Sequence, residues 1–388
     1  MGSSENWEEL PRELLELIGK YLDNRIDVFR FRSISTSWRS VVSFSHLQSQ
    51  PISIKLPAPE KSNAISSHFT ICRLEDKSKS SACLVKVVEC KSSGMLELVN
   101  PLITRKPQFS SSSSSSNNNE NDDDNGCNKK IVNLLEFRLV EIIKGYSFKF
   151  KKLSSAFRIK KVIMCDNNVG ILALFKSGKL WYWGFGDERW THIGNEGSYY
   201  DDVMVYKGQY YVIDSLGIIS WIDKSMNLVQ YAPPLCGFGQ LKNMVVSDNE
   251  FYVVDCYLEE DGLAVGNPMF DEINNSRRLR KVDIKVYKLD EEWGTWVDVK
   301  SLGNRVFVLG KEVCFAINVK DFPGCQGDCI YFVDPRMEDR NVRGKVKQLV
   351  GRVFRFDNGS IRTVECFPCY KRLFSPSMNW SLPSSSCP

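Results

Sequence analysis

A chain of 388 residues, 43% hydrophobic, exceeds what one core usually organises, so a small module joined to a large repeat-built domain is the expected arrangement. Lys and Arg total 51 against 47 acids, and a net charge of +4 at this length gives no reason to expect nucleic acid or anionic lipid as the main partner. The polar start, Met1 to Glu9, is no signal peptide, and the longest apolar run, Val169 to Phe175, falls far short of the ~20 residues that span a bilayer. A soluble protein of nucleus or cytoplasm, with no membrane partner, is expected.

The 13 cysteines are scattered and odd in number, which favours reduced thiols over a disulfide framework. Cys325-x3-Cys329 and Cys366-x2-Cys369 have ligand-like spacing, but no His lies nearby and no metal or cofactor is expected.

From the N-terminus, Leu10, Leu14, Leu15, Ile18 and Leu22 recur at three and four and predict a helix opening around Pro11. Asp27 can cap a second helix carrying Val28, Phe29, Phe31 and Ile34, and Ser35 a third carrying Trp38, Val41 and Val42. A unit of about forty residues is too small to bury so many large apolar side chains within itself. Part of that surface has to face either the rest of the chain or another protein.

The order of features, Trp7-Glu-Glu-Leu-Pro-Arg-Glu-Leu-Leu-Glu-Leu-Ile and then Asp27-Val-Phe-Arg-Phe-Arg-Ser-Ile-Ser-Thr-Ser-Trp-Arg, resembles an F-box. The resemblance implies a domain at 1–48 that binds a Skp-type adaptor and, through it, a cullin. Carried over residue by residue, it assigns adaptor binding to Leu10, Pro11, Leu14, Ile18, Leu22, Phe29, Ile34 and Trp38. Ser35-Thr36-Ser37 departs from the Val-Cys-Lys-like stretch that many members carry before the Trp.

Beyond Pro51 the helical period gives way to short Val, Ile, Tyr, Phe and Trp runs between Gly, Asn, Asp and Ser turns, which reads as all-β. Gly170-Ile-Leu-Ala-Leu-Phe, Gln209-Tyr-Tyr-Val-Ile-Asp and Glu250-Phe-Tyr-Val-Val-Asp repeat: Tyr211 follows Ile171 by 40 residues and Phe251 follows Tyr210 by 41. A fourth copy, Asp328-Cys-Ile-Tyr-Phe-Val-Asp, puts Tyr331 79 residues after Tyr252, about two such periods. A period near forty predicts a β-propeller of five to seven four-stranded blades over 49–388, with paired strands that resemble kelch and related blades.

Asp214, Asp255 and Asp334 close equivalent strands and are read as turn-formers that bond backbone amides, not as catalytic acids. Trp181, Trp183, Trp190, Trp221, Trp293 and Trp296 are expected mostly between blades, with one or two exposed.

Leu96-Glu-Leu-Val-Asn-Pro-Leu-Ile, Val286-Tyr-Lys-Leu-Asp with Trp296-Val-Asp-Val-Lys-Ser-Leu-Gly, and Phe322-Pro-Gly-Cys through Asp334 resemble the KIB-type domain of plant, SKIP-like F-box proteins. Two segments interrupt the pattern. Ser110 to Asn128, rich in Ser, Asn and Asp, is expected to be a disordered insertion, and Glu259 to Lys281 lengthens one blade connection. With no nucleophile, phosphate or metal motif, a non-catalytic substrate-recognition subunit of an SCF-type ubiquitin ligase is the expected function, its target protein unknown. A non-degradative interaction scaffold is the alternative.

Overall fold

A computed structural model describes residues 10–22, 25–43, 53–55, 63–78, 81–89, 96–102, 130–131, 137–150, 159–165, 170–235, 237–260, 279–333, 351–364, 368–374 and 380–381. The expected insertion 110–128 and Asp334 lie outside them. Helix α1 (Arg12–Lys20) starts after Pro11, α2 is Arg25–Ile34 and α3 Thr36–Val41. Ser35 caps α3 by accepting the Trp38 N–H at 3.3 Å. Asp27 does not cap α2. It stands in the first turn, where a carboxylate suits the helix dipole, and pairs with Arg30 at 2.8 Å.

The rest is mostly β and forms five sheets, one per blade. The first comprises β1 (Ser53–Lys55), β2 (Asn63–Asp76), β3 (Ser81–Glu89), β4 (Leu96–Val99), β5 (Lys130–Ile131) and β6 (Phe137–Phe150), with β6 paired to β2. The second holds β7 (Ile159–Met164), β8 (Gly170–Phe175), β9 (Leu180–Gly184) and β10 (Thr191–Ile193). The third holds β11 (Tyr200–Tyr206), β12 (Gln209–Asp214), β13 (Ile219–Ile222) and β14 (Leu228–Gln230). The fourth holds β15 (Leu241–Ser247), β16 (Glu250–Glu260), β17 (Leu279–Asp290) and β18 (Thr295–Val299). The fifth is five-stranded: β19 (Arg305–Leu309), β20 (Cys314–Asn318), β21 (Cys329–Val333), β22 (Gly351–Arg355) and β23 (Ile361–Thr363).

Strands β6, β7, β11, β15 and β20 lie beside one another in succession and form the inner ring. Apolar clusters fill the seams: Tyr200, Val203 and Tyr210 meet Leu172 and Leu174, Ile213 and Ile219 meet Met244 and Val253, and Val254 and Val286 meet Phe307 and Phe332. Phe69, Ile71 and Leu84 of the first blade share a core with Val306, Phe315 and Tyr331 of the last, which closes the ring.

The molecule departs from the expected layout in three places. The fourth repeat, β21, belongs to the blade next to that of β16 and not to a second one beyond it, because long strands β16 and β17 and the hairpin β19–β20 fill the interval. Leu279, Arg280 and Lys281 pair with Glu260, Glu259 and Leu258 in β16–β17, so the blade connection is shorter than 259–281. The region past Pro51 is not wholly β, since Pro368–Leu373 forms helix α4. Its end packs Leu373 and Phe374 into the closing core, and Asn100 Nδ2 donates to the Phe374 carbonyl at 3.2 Å. A last strand, β24 (Trp380–Ser381), pairs antiparallel with β4 and parallel with β5, joining the C-terminus to the first blade.

Candidate protein-interaction surfaces

Helix α1 carries two apolar faces. Leu15 and Gly19 turn inward to a small core of Val28, Phe31, Trp38 and Val42, against which Leu10 and Leu22 are half-buried. Gly19 permits this approach: a Cβ there would lie 2.4 Å from Cγ2 of Val42. Leu14, Leu17, Ile18 and Tyr21, at successive helical steps of three and four, stay exposed at 46%, 49%, 38% and 80%. They form a stripe roughly 100° wide. Arg12, Glu13, Glu16 and Lys20 take the remaining sector, with Arg12 and Glu16 paired at 3.0 Å. Charge is thus kept off the stripe, and no described side chain covers it.

The assigned adaptor residues divide on this frame. Leu14, Ile18 and Ile34 are exposed, as is Pro11. Phe29 and Trp38 do not face solvent. Trp38 lies 4.6 Å from Phe31, ring to ring, in the helical core, while Phe29 leaves that core to pack on Cys72, Leu74, Val85, Val87, Leu98 and Leu139 of the first blade. Beside it the Arg30 guanidinium donates to the Leu139 carbonyl. The helical unit is therefore seated on the propeller by α2, leaving the outer face of α1 free. Leu17 and Tyr21, which complete the exposed stripe, were not singled out in the sequence, although counting three and seven from Leu14 reaches both.

Arg32 ties α2 to α3 by donating to the Arg39 carbonyl at 2.8 Å and to that of Val42, orphan acceptors at a helix end. Burial, and then the charge of Arg39, lower its pKa from the ordinary value. Burial pushes the Cys72 thiol up to about 12, with Glu141 adding to the shift, so it stays protonated beneath Phe29.

In the propeller, Asp214 behaves as a turn-former: its Oδ1 accepts the N–H groups of Leu216 at 3.0 Å and Ile218 at 2.8 Å. Asp255 does not. It is fully buried and sits 3.5 Å from the Lys242 ammonium, its neighbour across β15–β16. Between blades, Lys161 meets Asp202 at 2.8 Å and Asp201 accepts the Lys242 N–H at 3.0 Å, each bond spanning one repeat of 41 residues. Burial nonetheless raises the Asp201 pKa, against the pull of Lys160 and Lys242. These carboxylates are spent on holding the ring. Of the tryptophans, Trp181, Trp183, Trp190, Trp221 and Trp296 pack partly buried against blade cores, and Trp293 is 75% exposed.

Against known proteins, the KIB1-4 beta-propeller family model matches residues 42–355. Relatives in Arabidopsis thaliana extend the match through the helices. Putative F-box protein At1g65770 is 29% identical over 93% of this chain and 94% of its own. F-box protein SKIP23 is 27% identical over 97% and 95%, and F-box protein At4g35733 is 26% identical over 97% and 99%. Five seam-packed blades and a match across most of their length make the chain a member of the KIB1-4 beta-propeller family, whose curated relatives here are F-box proteins.

Proposed function

We propose that this chain is the non-catalytic receptor of an SCF-type cullin ubiquitin ligase, acting in nucleus or cytoplasm. Its helices engage a Skp-type adaptor, and its propeller holds the protein to be ubiquitinated. The observation that carries the reading is the exposed stripe Leu14, Leu17, Ile18 and Tyr21 on a helix whose other apolar face is already satisfied. An uncharged helix face of this width fits helix-in-groove recognition by a partner. Relatives named as F-box proteins support the same assignment. The mechanism is proximity, since a target fixed near a charged enzyme reacts as if at high effective concentration.

Co-purification tests it. The intact chain should retain a Skp-type adaptor, and a Leu17→Asp/Ile18→Asp variant, with unchanged circular dichroism, should lose it at least tenfold. Equal retention by both would refute the docking assignment. A cycloheximide chase then separates receptor from scaffold: the receptor shortens its target's half-life only with the stripe intact, and a scaffold leaves that half-life independent of it.

A further inference from the structure

The inference concerns where the propeller meets its target, and so rests on the receptor reading. Three loops open on one end of the third blade. Tyr199 precedes the inner strand β11, Leu216 sits in the β12–β13 turn, and Phe238 precedes the inner strand β15. In an antiparallel blade these positions fall at the same end. They are tied together by backbone: the Ser215 N–H donates to the Tyr199 carbonyl at 2.9 Å, and that of Leu235 to the Gly217 carbonyl at 3.1 Å. Tyr199, Leu216 and Phe238 are nonetheless 58%, 70% and 86% exposed.

Phe238 is mounted on a rigid base. The buried Lys242 ammonium donates to the carbonyls of Ser215 at 3.0 Å and Gly239 at 2.7 Å, linking the loops that carry Leu216 and Phe238. Its partner Asp255 accepts the Gly239 N–H at 3.1 Å. A Cβ on Gly237 or Gly239 would stand 2.4 or 2.2 Å from the Asp255 carboxylate, so only glycines let this finger lie on the ion pair. Burying two charges is costly, and here they hold a backbone that keeps one aromatic ring in water.

Charge complementarity specifies the partner. Ser215 to Ile222 and Tyr231 to Leu241 contain no charged residue. Two neighbouring charges are engaged internally: Asp214 by the Leu216 and Ile218 amides, and Lys179 by the Ser198 carbonyl at 2.9 Å with its ammonium 4.7 Å from the Tyr199 ring. We infer that Phe238, Leu216 and Tyr199 form the target-docking face, and that it takes a short uncharged segment of another protein bearing aliphatic or aromatic side chains. Preorganised, exposed aromatic anchors of this kind dominate interface energetics.

The test selects peptides from a displayed random library on the full-length chain. Enrichment of uncharged sequences with two or three large apolar side chains, bound at least tenfold more weakly by Phe238→Ser and by Leu216→Ser, is the expected result. Both residues are exposed, so these variants should keep the parent's melting temperature and adaptor binding. No enrichment, charged consensus sequences, or equal binding to both variants would overturn the inference. So would a dimer in sedimentation that Phe238→Ser dissociates, or phosphatidylcholine vesicle binding that it abolishes. Peptides that bind as expected to a chain that fails to retain adaptor would instead sink the receptor reading and leave the docking face standing.

Discussion

At the residue scale, Asp214 and Asp255 hold equivalent repeat positions, yet Asp214 ends β12 and bonds its own turn, whereas Asp255 lies inside the longer β16, buried against Lys242. Periodicity made them look alike. What separates them is a lysine one strand away, which repeat alignment does not reveal. Asp255→Ala should leave a buried ammonium without its counter-charge and cost about 3–5 kcal/mol, whereas Lys242→Met/Asp255→Leu removes both charges and should recover much of that loss. Urea unfolding of the three proteins checks the order. Glu250 accepts a hydrogen bond from Tyr252 and faces Lys288 at 3.0 Å and Arg305 at 3.4 Å, which together hold its pKa below the ordinary value. A depressed carboxylate stabilises the fold above its ordinary pKa, about 4.3, and loses that contribution as pH falls through the lowered value. Glu250→Gln should therefore flatten the fall of melting temperature below about pH 4.3 and lower stability at neutral pH. An unchanged acid limb would disprove the linkage.

At the element scale, α1 shows why helix existence was legible and its partners were not. Spacing of three and four identifies an apolar helix, but Leu15 faces inward and Leu14 outward, and both are leucine. Phe29 likewise serves the blade, a contact set by tertiary packing with strands β2, β3, β4 and β6. The closing α4 was hidden among short β-like runs. Gly19 gives a test with opposed terms. Alanine raises helix propensity by about 1 kcal/mol over glycine, but its Cβ would strike Val42, and overpacking typically costs about 1–3 kcal/mol. The clash is with a buried branched side chain, so the second term should win. Gly19→Ala should speed hydrogen exchange in α1 and weaken adaptor capture severalfold, whereas a propensity-dominated helix would exchange more slowly.

At the scale of the whole molecule, the blade period was readable from Gly170, Gln209 and Glu250 onward because each blade repeats the same paired strands. The number of blades was not, because β19, β20 and β24 break the period exactly where the ring has to close. Closure makes the ends of a propeller interdependent: β24 continues the first sheet beyond β4, while Leu373 and Phe374 fill the seam between first and last blades. Fully burying such side chains contributes about 1.5–3 kcal/mol each. A chain ending at residue 367 loses both of them, the Asn100 bond to the Phe374 carbonyl and the strand that covers the edge of β4. It should unfold several degrees lower and self-associate through that newly exposed edge. Substituting only Leu373→Ala/Phe374→Ala separates the two contributions. That variant should lose comparable thermal stability and yet remain monomeric, because β24 still covers the edge. Scanning calorimetry and analytical ultracentrifugation on the three chains distinguish core loss from edge exposure, and a truncated chain that stays monomeric at the parent's melting temperature would show that the ring closes without its C-terminus.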